Sequence, residues 1–261
     1  MNIREILIAE AVYYHGNWEE IVNAIRKREL LPIGDVIDIN RRLKCKAITI
    51  MDEEYPEYLK ELYRPPIVLF YYGDIKLIKD IRKNVAIVGT RKPSETGIGI
   101  TKEITKGIAK KYNIVSGLAL GIDSVAHEEA IKSGGKTIAV LGCGIDMCYP
   151  SRNREIYEEI KRNHLLVSEY PEKTAPTQSS FPERNRLIAQ FSRGIVVTES
   201  RRKSGTSITV NYGLWYNRDI MCVPSTCYND SGCNMFIREG AALVENAKQV
   251  IESMEWRKNL L

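Results

Sequence analysis

Four short runs rich in β-branched residues end abruptly in small or polar residues and give way to a helical pattern. They are residues 85–88 before Gly89-Thr90-Arg91, 114–115 before Ser116-Gly117, 137–141 before Gly142-Cys143-Gly144, and 195–198 before Glu199-Ser200. Runs that are apolar throughout, alternating with amphipathic helical segments, require a parallel sheet covered on both faces and joined by right-handed crossovers. The expected fold class is therefore α/β, doubly wound. In such a sheet the carboxyl ends of the strands share one crevice, and ligands bind where the strand order reverses. Small residues there let a backbone or a phosphate come close, and the helix N-termini that follow direct N–H groups and partial positive charge at it. The pattern predicts a crevice built for an anion.

Strands are expected near 85–89, 113–116, 137–141, 165–168, 194–198, 219–223 and 241–244, with helices near 97–111, 123–133, 152–162, 184–192, 205–217 and 232–239. Upstream, residues 1–44 read as a small helical, hairpin-like module, and residues 45–261 as the main domain. In the module, Ile3, Ile6, Leu7 and Ala11 share a helical face, Asn17 caps a second helix carrying Ile21, Val22 and Ile25, and Leu31-Pro32-Ile33-Gly34 makes a turn. The main domain opens with a strand-like Ile48-Thr49-Ile50, an amphipathic segment at 55–62, and an apolar strand at 67–73 that Pro66 opens and Gly73-Asp74 turns.

No apolar run reaches the roughly 20 residues of a membrane span, and the N-terminus opens no secretory signal, so a cytoplasmic protein without a membrane partner is expected. The net charge of +5 permits nucleic-acid binding without requiring it, since local clustering is what matters. The six cysteines, at 45, 143, 148, 222, 227 and 233, form no C-x-x-C pair. Cys222, Cys227 and Cys233 could meet around a loop but lack zinc-site spacing, so no metal and reduced thiols are expected. The Ile-, Lys- and Glu-rich composition leaves open a thermophile, in which intracellular disulfides occur.

Four stretches carry the chemistry. Gly89-Thr90-Arg91-Lys92-Pro93-Ser94 follows a buried strand and opens a helix as a phosphate loop does, yet it is neither G-x-G-x-x-G nor a Walker motif. No dinucleotide or other cofactor is therefore expected, and Arg91 offers a planar, permanently charged fork to a phosphate. In Ser116-Gly117-Leu118-Ala119-Leu120-Gly121-Ile122-Asp123, the glycines suit a tight backbone and Asp123 suits an N-cap. His127 follows without a catalytic partner and reads as a structural histidine. In Phe181-Pro182-Glu183-Arg184-Asn185-Arg186, the cations could grip a phosphate while Phe181 stacks on a base. Alternatively, Phe181 packs in the core and one arginine pairs with Glu199; at least one arginine is expected to face the crevice. Finally, three cations, Arg201, Arg202 and Lys203, run into Ser204-Gly205-Thr206 at a helix start, where N–H groups and hydroxyls meet an anion.

Taken together, these stretches resemble the DNA-processing protein A family, also called Smf, from about residue 46 to 245. The resemblance rests on residues 85–91 with Pro93-Ser94, Val115-Ser116-Gly117-Leu118-Ala119 with Gly121-Ile122-Asp123 and Ala126-His127, and residues 134–142 with Tyr149-Pro150. It continues through Ser168-Glu169-Tyr170-Pro171, residues 181–186, Ser204-Gly205-Thr206, Ser231-Gly232-Cys233-Asn234 and Gly240-Ala241. It implies an extended Rossmann-like, mostly parallel domain that binds single-stranded DNA without catalysis, forms a homodimer and helps load a RecA-type recombinase. Carried onto this chain, the DNA contacts would be Arg91, with Gly89 and Thr90 beside it, and Phe181, Arg184, Asn185 and Arg186. The Ser116-Gly117 and Ser204-Gly205-Thr206 loops would shape the pocket. Thr90 stands where the family usually has Ser, Ser207 where it has Leu, and Thr198-Glu199-Ser200 replaces a more common Glu-Ala ending. The C-terminal winged-helix domain of many members has no counterpart in the sequence. The alternative reading is an enzyme or sensor for a nucleotide-like small molecule, as in the phosphoribohydrolases that activate cytokinins. Only Gly205-Thr206 matches their Pro-Gly-Gly-x-Gly-Thr motif, and an Arg186–Glu199 pair would imitate their catalytic pair.

Overall fold

The structure, a computed structural model, describes residues 2–226 and 230–256. Three helices come first, α1 (Ile3–Tyr13), α2 (Trp18–Lys27) and α3 (Ile33–Arg42). Asn2 and Asn17 accept backbone N–H groups at the starts of α1 and α2, so each helix begins on a side-chain cap. Strand β1 (Lys46–Thr49), the one-turn helix α4 (Glu57–Lys60) and β2 (Val68–Gly73) follow. The alternating part then runs β3 (Asn84–Val88), α5 (Glu95–Ile108), β4 (Asn113–Ser116), α6 (Ile122–Lys132), β5 (Thr137–Val140), α7 (Arg154–Asn163) and β6 (Leu165–Ser168). It continues with α8 (Ser180–Gln190), β7 (Gly194–Val197), α9 (Thr206–Trp215), β8 (Asp219–Cys222), α10 (Gly232–Arg238), β9 (Ala242–Leu243) and α11 (Ala247–Trp256).

Among the described residues nine strands form one sheet in the order β1-β2-β6-β5-β4-β3-β7-β8-β9. The pairs β1–β2 and β2–β6 are antiparallel, and β3 through β9 pair in parallel with their neighbours. From β3 the chain steps outward through β4, β5 and β6, then returns to place β7 on the other side of β3. The strand order therefore reverses between β3 and β7, which is where a doubly wound sheet opens its crevice.

The period-two alternation of the strands divides the core. Val85 and Ile87 pack with Ile104 and Ile108 of α5, Ala126 of α6 and Met254 of α11. Ala86 and Val88 point the opposite way, to Leu187 and Ile188 of α8 and Val210 of α9. A third cluster joins Leu7, Ile8 and Ala11 of α1 to Phe70 of β2, Leu166 of β6 and Tyr157 and Ile160 of α7.

The N-terminal helices depart from the expected hairpin shape. Instead of a hairpin there are three helices, Ile33 and Gly34 lie within α3, and α1 shares buried core with the sheet. Three further boundaries move. The amphipathic segment at 55–62 is helical for one turn only, β9 has two residues, and α8 begins at Ser180, which places Phe181 and Arg184 in its first turns. Cys45, Cys143, Cys222 and Cys233 are buried free thiols and Cys148 is half-buried; Cys227, which would complete the loop trio, lies outside the described residues.

His127 is buried, its Nδ1 lying 2.7 Å from Thr137 Oγ1. The Thr137 hydroxyl already donates to the Ile114 carbonyl at 2.7 Å, so Nδ1 carries the proton and donates. Burial pushes the imidazole down to about 3, with His164 and Arg184 adding to the shift.

Two consequences are measurable. Ile8→Ala should lower stability by about 2–5 kcal/mol in a single cooperative urea transition, because the side chain is shared core; a separate, earlier transition for the helices would show an independent module. Because His127 stays neutral when folded but titrates near pH 6.5 when unfolded, the unfolded chain binds the extra proton between pH 6.5 and 3. Stability should fall by up to about 1.4 kcal/mol per pH unit on acidification through that window. His127→Gln should flatten that slope in urea titrations.

Candidate nucleic-acid interface

Beyond their last paired residues, β3 and β7 remain tied, since the Thr90 amide donates to the Glu199 carbonyl at 2.8 Å. The Glu199 carboxylate accepts from the Ser94 amide at 3.0 Å and the Ser94 hydroxyl at 2.8 Å, while Ser94 itself caps α5. Glu199 thus places negative charge at the positive end of α5, where the helix dipole favours it. Among the described residues neither arginine of the 181–186 stretch forms an ion pair with it, so the expected Arg–Glu199 pairing is replaced by this cap.

Over the switch point lies a hollow of about 740 Å³. Gly89, Thr90 and Arg91 line it from β3, Phe181, Arg184 and Asn185 from α8, and Ser204, Gly205 and Thr206 from the start of α9. Arg91 is exposed, with its guanidinium 5.7 Å from the centre of the Phe181 ring. Tyr149, 51% exposed, lies 5.5 Å from Phe181 with the rings tilted by 32°. An aromatic pair with a cation over it presents flat apolar faces next to positive charge.

Arg184 forms the floor and is only 4% exposed. Its Nη1 donates to the carbonyls of Gly117 and Val140, binding α8 to the ends of β4 and β5, and its Nε donates to Asn185 Oδ1 at 3.2 Å. A Cβ on residue 117 would stand 2.6 Å from the guanidinium carbon, so this approach admits only glycine. Burial pushes the guanidinium below its ordinary value, Asp123 opposes that shift, and the like charge of Arg91 adds to it. Two cations therefore converge on one hollow, where a bound anion would relieve their repulsion.

Asp123 does not cap α6. Gly121, with φ of +83°, occupies the cap position, and Asp123 in the first turn turns back to accept the Gly117 amide at 3.1 Å and the Ala119 amide at 3.4 Å. It holds the loop that Arg184 grips from the other side. Ser116 is fully buried and donates to the Ile87 carbonyl at 2.7 Å; neither it nor Gly117 lines the hollow, and both lie behind Arg184 and Asp123.

Arg186 points elsewhere. It is buried and meets both Glu169 oxygens at 2.5 and 2.6 Å, beside a second hollow of about 510 Å³ that Trp215 and Tyr216 also line. Near the first hollow, Asn185 Nδ2 donates to the Gly205 carbonyl at 3.4 Å, and Ser204 Oγ lies 2.9 Å from Ser200 Oγ. The first-turn amides of α9 carry the helix's positive end into the hollow. Arg201 also lines it, with a loose 3.9 Å contact to Asp230. Tyr149 and Asp123 enter the site without having been singled out as contacts. For Tyr149 the available signal was an aromatic next to proline in the loop that follows a glycine-ended strand.

The two arginines should separate cleanly in a thermal melt. Arg184→Met leaves the buried Gly117 and Val140 carbonyls without a donor, at about 1–3 kcal/mol for each unmade bond. Arg91→Ala should leave the melting temperature nearly unchanged. Equal effects would place Arg184 outside the framework.

The comparisons with known proteins converge. The family model described as DNA recombination-mediator protein A matches residues 46–255. DNA processing protein DprA of Streptococcus pneumoniae is 39% identical over 215 residues, covering 82% of this chain and 76% of that protein. Protein Smf of Synechocystis is 40% identical over 239 residues, 90% of this chain and 60% of that protein. The X-ray structure of the Streptococcus pneumoniae protein superposes with a TM-score of 0.81 at 32% identity over 97% of this chain and 98% of that one. A structure of DNA processing protein A from Helicobacter pylori, described for its unique single-stranded DNA binding mode, gives a TM-score of 0.73 at 30% identity over 82% of this chain and 96% of that one. With its sheet, its switch-point crevice and four-fifths of its length matched in this way, the chain belongs to the DNA recombination-mediator protein A family.

Proposed function

We propose that this chain binds single-stranded DNA in the switch-point crevice and acts as a recombination mediator by holding the strand, without catalysis. The observation that carries the reading is the convergence of exposed Arg91, buried Arg184 and the Tyr149–Phe181 pair on one hollow. Phosphates seek the cations and the α9 N-terminus, and bases seek the rings. Only an unpaired strand offers bases free to stack, so the site favours single strands over duplex. Contacts to phosphate carry no base information, so sequence preference is slight.

In this reading Arg91, Thr90, Phe181, Arg184, Asn185 and the Ser204-Gly205-Thr206 turn meet DNA, with Gly89 admitting the backbone. Ser116 and Gly117 lie behind the floor. Arg186, held by Glu169, serves the fold. The phosphoribohydrolase-like alternative needs a glutamate free beside Gly205-Thr206, and Glu199 is instead committed to Ser94. The proposal extends to a cytoplasmic homodimer that passes its strand to a RecA-type recombinase. It is supported by the family membership and by the exposed Leu214, Trp215 and Leu243, which offer apolar surface to protein partners. No helix among the described residues is long and apolar enough to cross a membrane.

Arg91→Ala should weaken binding of a fluorescent single-stranded oligonucleotide by about 1.5–3 kcal/mol, some 10- to 150-fold, with Arg91→Lys recovering part of the loss. Each phosphate contact should add about −0.7 to the slope of log K against log salt. Equal affinity for duplex, an affinity indifferent to salt, or turnover of a nucleotide in a hydrolysis assay would overturn the reading.

A further inference from the structure

The opposite rim of the sheet, where the parallel strands begin, carries a second concentration of positive charge. Across four neighbouring strands, the turn before β6 bears Arg162, that before β5 Lys132 and Lys136, that before β4 Lys110 and Lys111, and that before β3 Lys83. All six are exposed. The two lysine pairs face one another across a hollow formed by residues 109–113 and 132–136. At about 4.8 Å between strands, the row spans roughly 15 Å.

The carboxylates nearby neutralise it only in part. Glu255 pairs with Lys111, and Glu159 lies 3.8 Å from Arg162. Lys136 donates to the Asn163 carbonyl at 3.0 Å, which orients the side chain without cancelling its charge. Among the described residues Lys83, Lys110 and Lys132 take part in no ion pair. Six cations against two ion pairs leave a surplus of positive charge along the rim, which a polyanion would neutralise. A membrane surface would also need apolar side chains to insert, and none of the large exposed hydrophobic residues lies in these turns. No aromatic ring stands exposed among them either, so the row offers charge to a phosphate backbone and no platform to its bases.

We propose that this rim is a second, sequence-indifferent site for the phosphates of single-stranded nucleic acid, separate from the switch-point crevice. Strands of four or five residues put about 13–17 Å of sheet between the two. A short strand in the crevice cannot reach the rim. One molecule then holds two segments of nucleic acid, one gripped by bases and phosphates, the other by phosphates alone.

The test uses the full chain and the double variant Lys110→Glu/Lys132→Glu, whose melting temperature should match the parent's because both side chains are exposed. One oligonucleotide is immobilised, and capture of a second, labelled one through the protein is measured. The double variant should lose this capture at least tenfold, and its salt slope on a long strand should become shallower by about 1.4, two phosphate contacts at roughly 0.7 each. Its affinity for an oligonucleotide of about 6 nucleotides, enough for one site, should stay within about twofold. Unchanged capture and slope would overturn the proposal, and would trace any capture by the parent to two crevices in a dimer. Binding to anionic phospholipid vesicles that the double variant loses, with capture intact, would also overturn it. The crevice is tested separately by Arg91→Ala. If that variant binds the short oligonucleotide normally while the double variant loses capture, the crevice reading fails and the rim stands.

Discussion

The crevice depends on one buried cation. Arg184 binds the last turns of two strands to a helix from the far side of the sheet, because a guanidinium can donate to two carbonyls at once and still direct nitrogen outward. An arginine in that position would be costly without compensation, and the compensation is spread out: two backbone carbonyls, the amide oxygen of Asn185, and Asp123 across the floor. Gly117 has no side chain because the guanidinium occupies that space, and Asp123 folds back because the same loop must be held from both sides. The position of Arg91 gains its meaning from this arrangement. A surface arginine alone is unremarkable, whereas one aimed at a cation already fixed below it forms half of an anion site.

The sheet was legible in the sequence for a simple reason. Short runs such as 114–115 and 165–167, β-branched or leucine and bounded by polar turn residues, have few other ways to be buried. The helical ends were less legible. Pro182 near the start of α8 suggests a later beginning, yet a proline in the first turn loses no hydrogen bond, and the helix starts at Ser180. The roles of Arg184 and Arg186 could not be told apart by spacing. Two residues on a helix are turned about 200° from each other, so one faces the crevice and the other the far hollow. Which is which depends on how α8 is rotated against β5, a matter of packing. Glu199 was read as a partner for arginine because it ends a strand beside the site. Its partner is Ser94, 105 positions away, and no local pattern announces a contact at that separation.

The ionic arrangement separates holding from receiving. In the buried pair Arg186–Glu169 the cation is met by both carboxylate oxygens, and Gln190 takes a further N–H. At the crevice, cations are either exposed, as Arg91 and Arg201 are, or matched mainly with neutral carbonyls, as Arg184 is. Neutral acceptors satisfy hydrogen bonds while leaving net positive charge in place, and this surplus is what distinguishes a binding floor from a structural ion pair.

Strand β2 has a further consequence. Its inner neighbour is β6, which the chain supplies some 92 residues later, from Gly73 to Leu165. At a synthesis rate of 5–20 residues per second, Leu69 and Phe70 emerge roughly 5–18 s before that partner. During this interval Phe70 can be shielded by α1 and β1, and Leu69 by β1 with Tyr55 and Leu59, all already made. The elements made before β2 therefore do more than complete the finished core: they are the surfaces on hand to cover β2's apolar residues while its inner edge waits for β6.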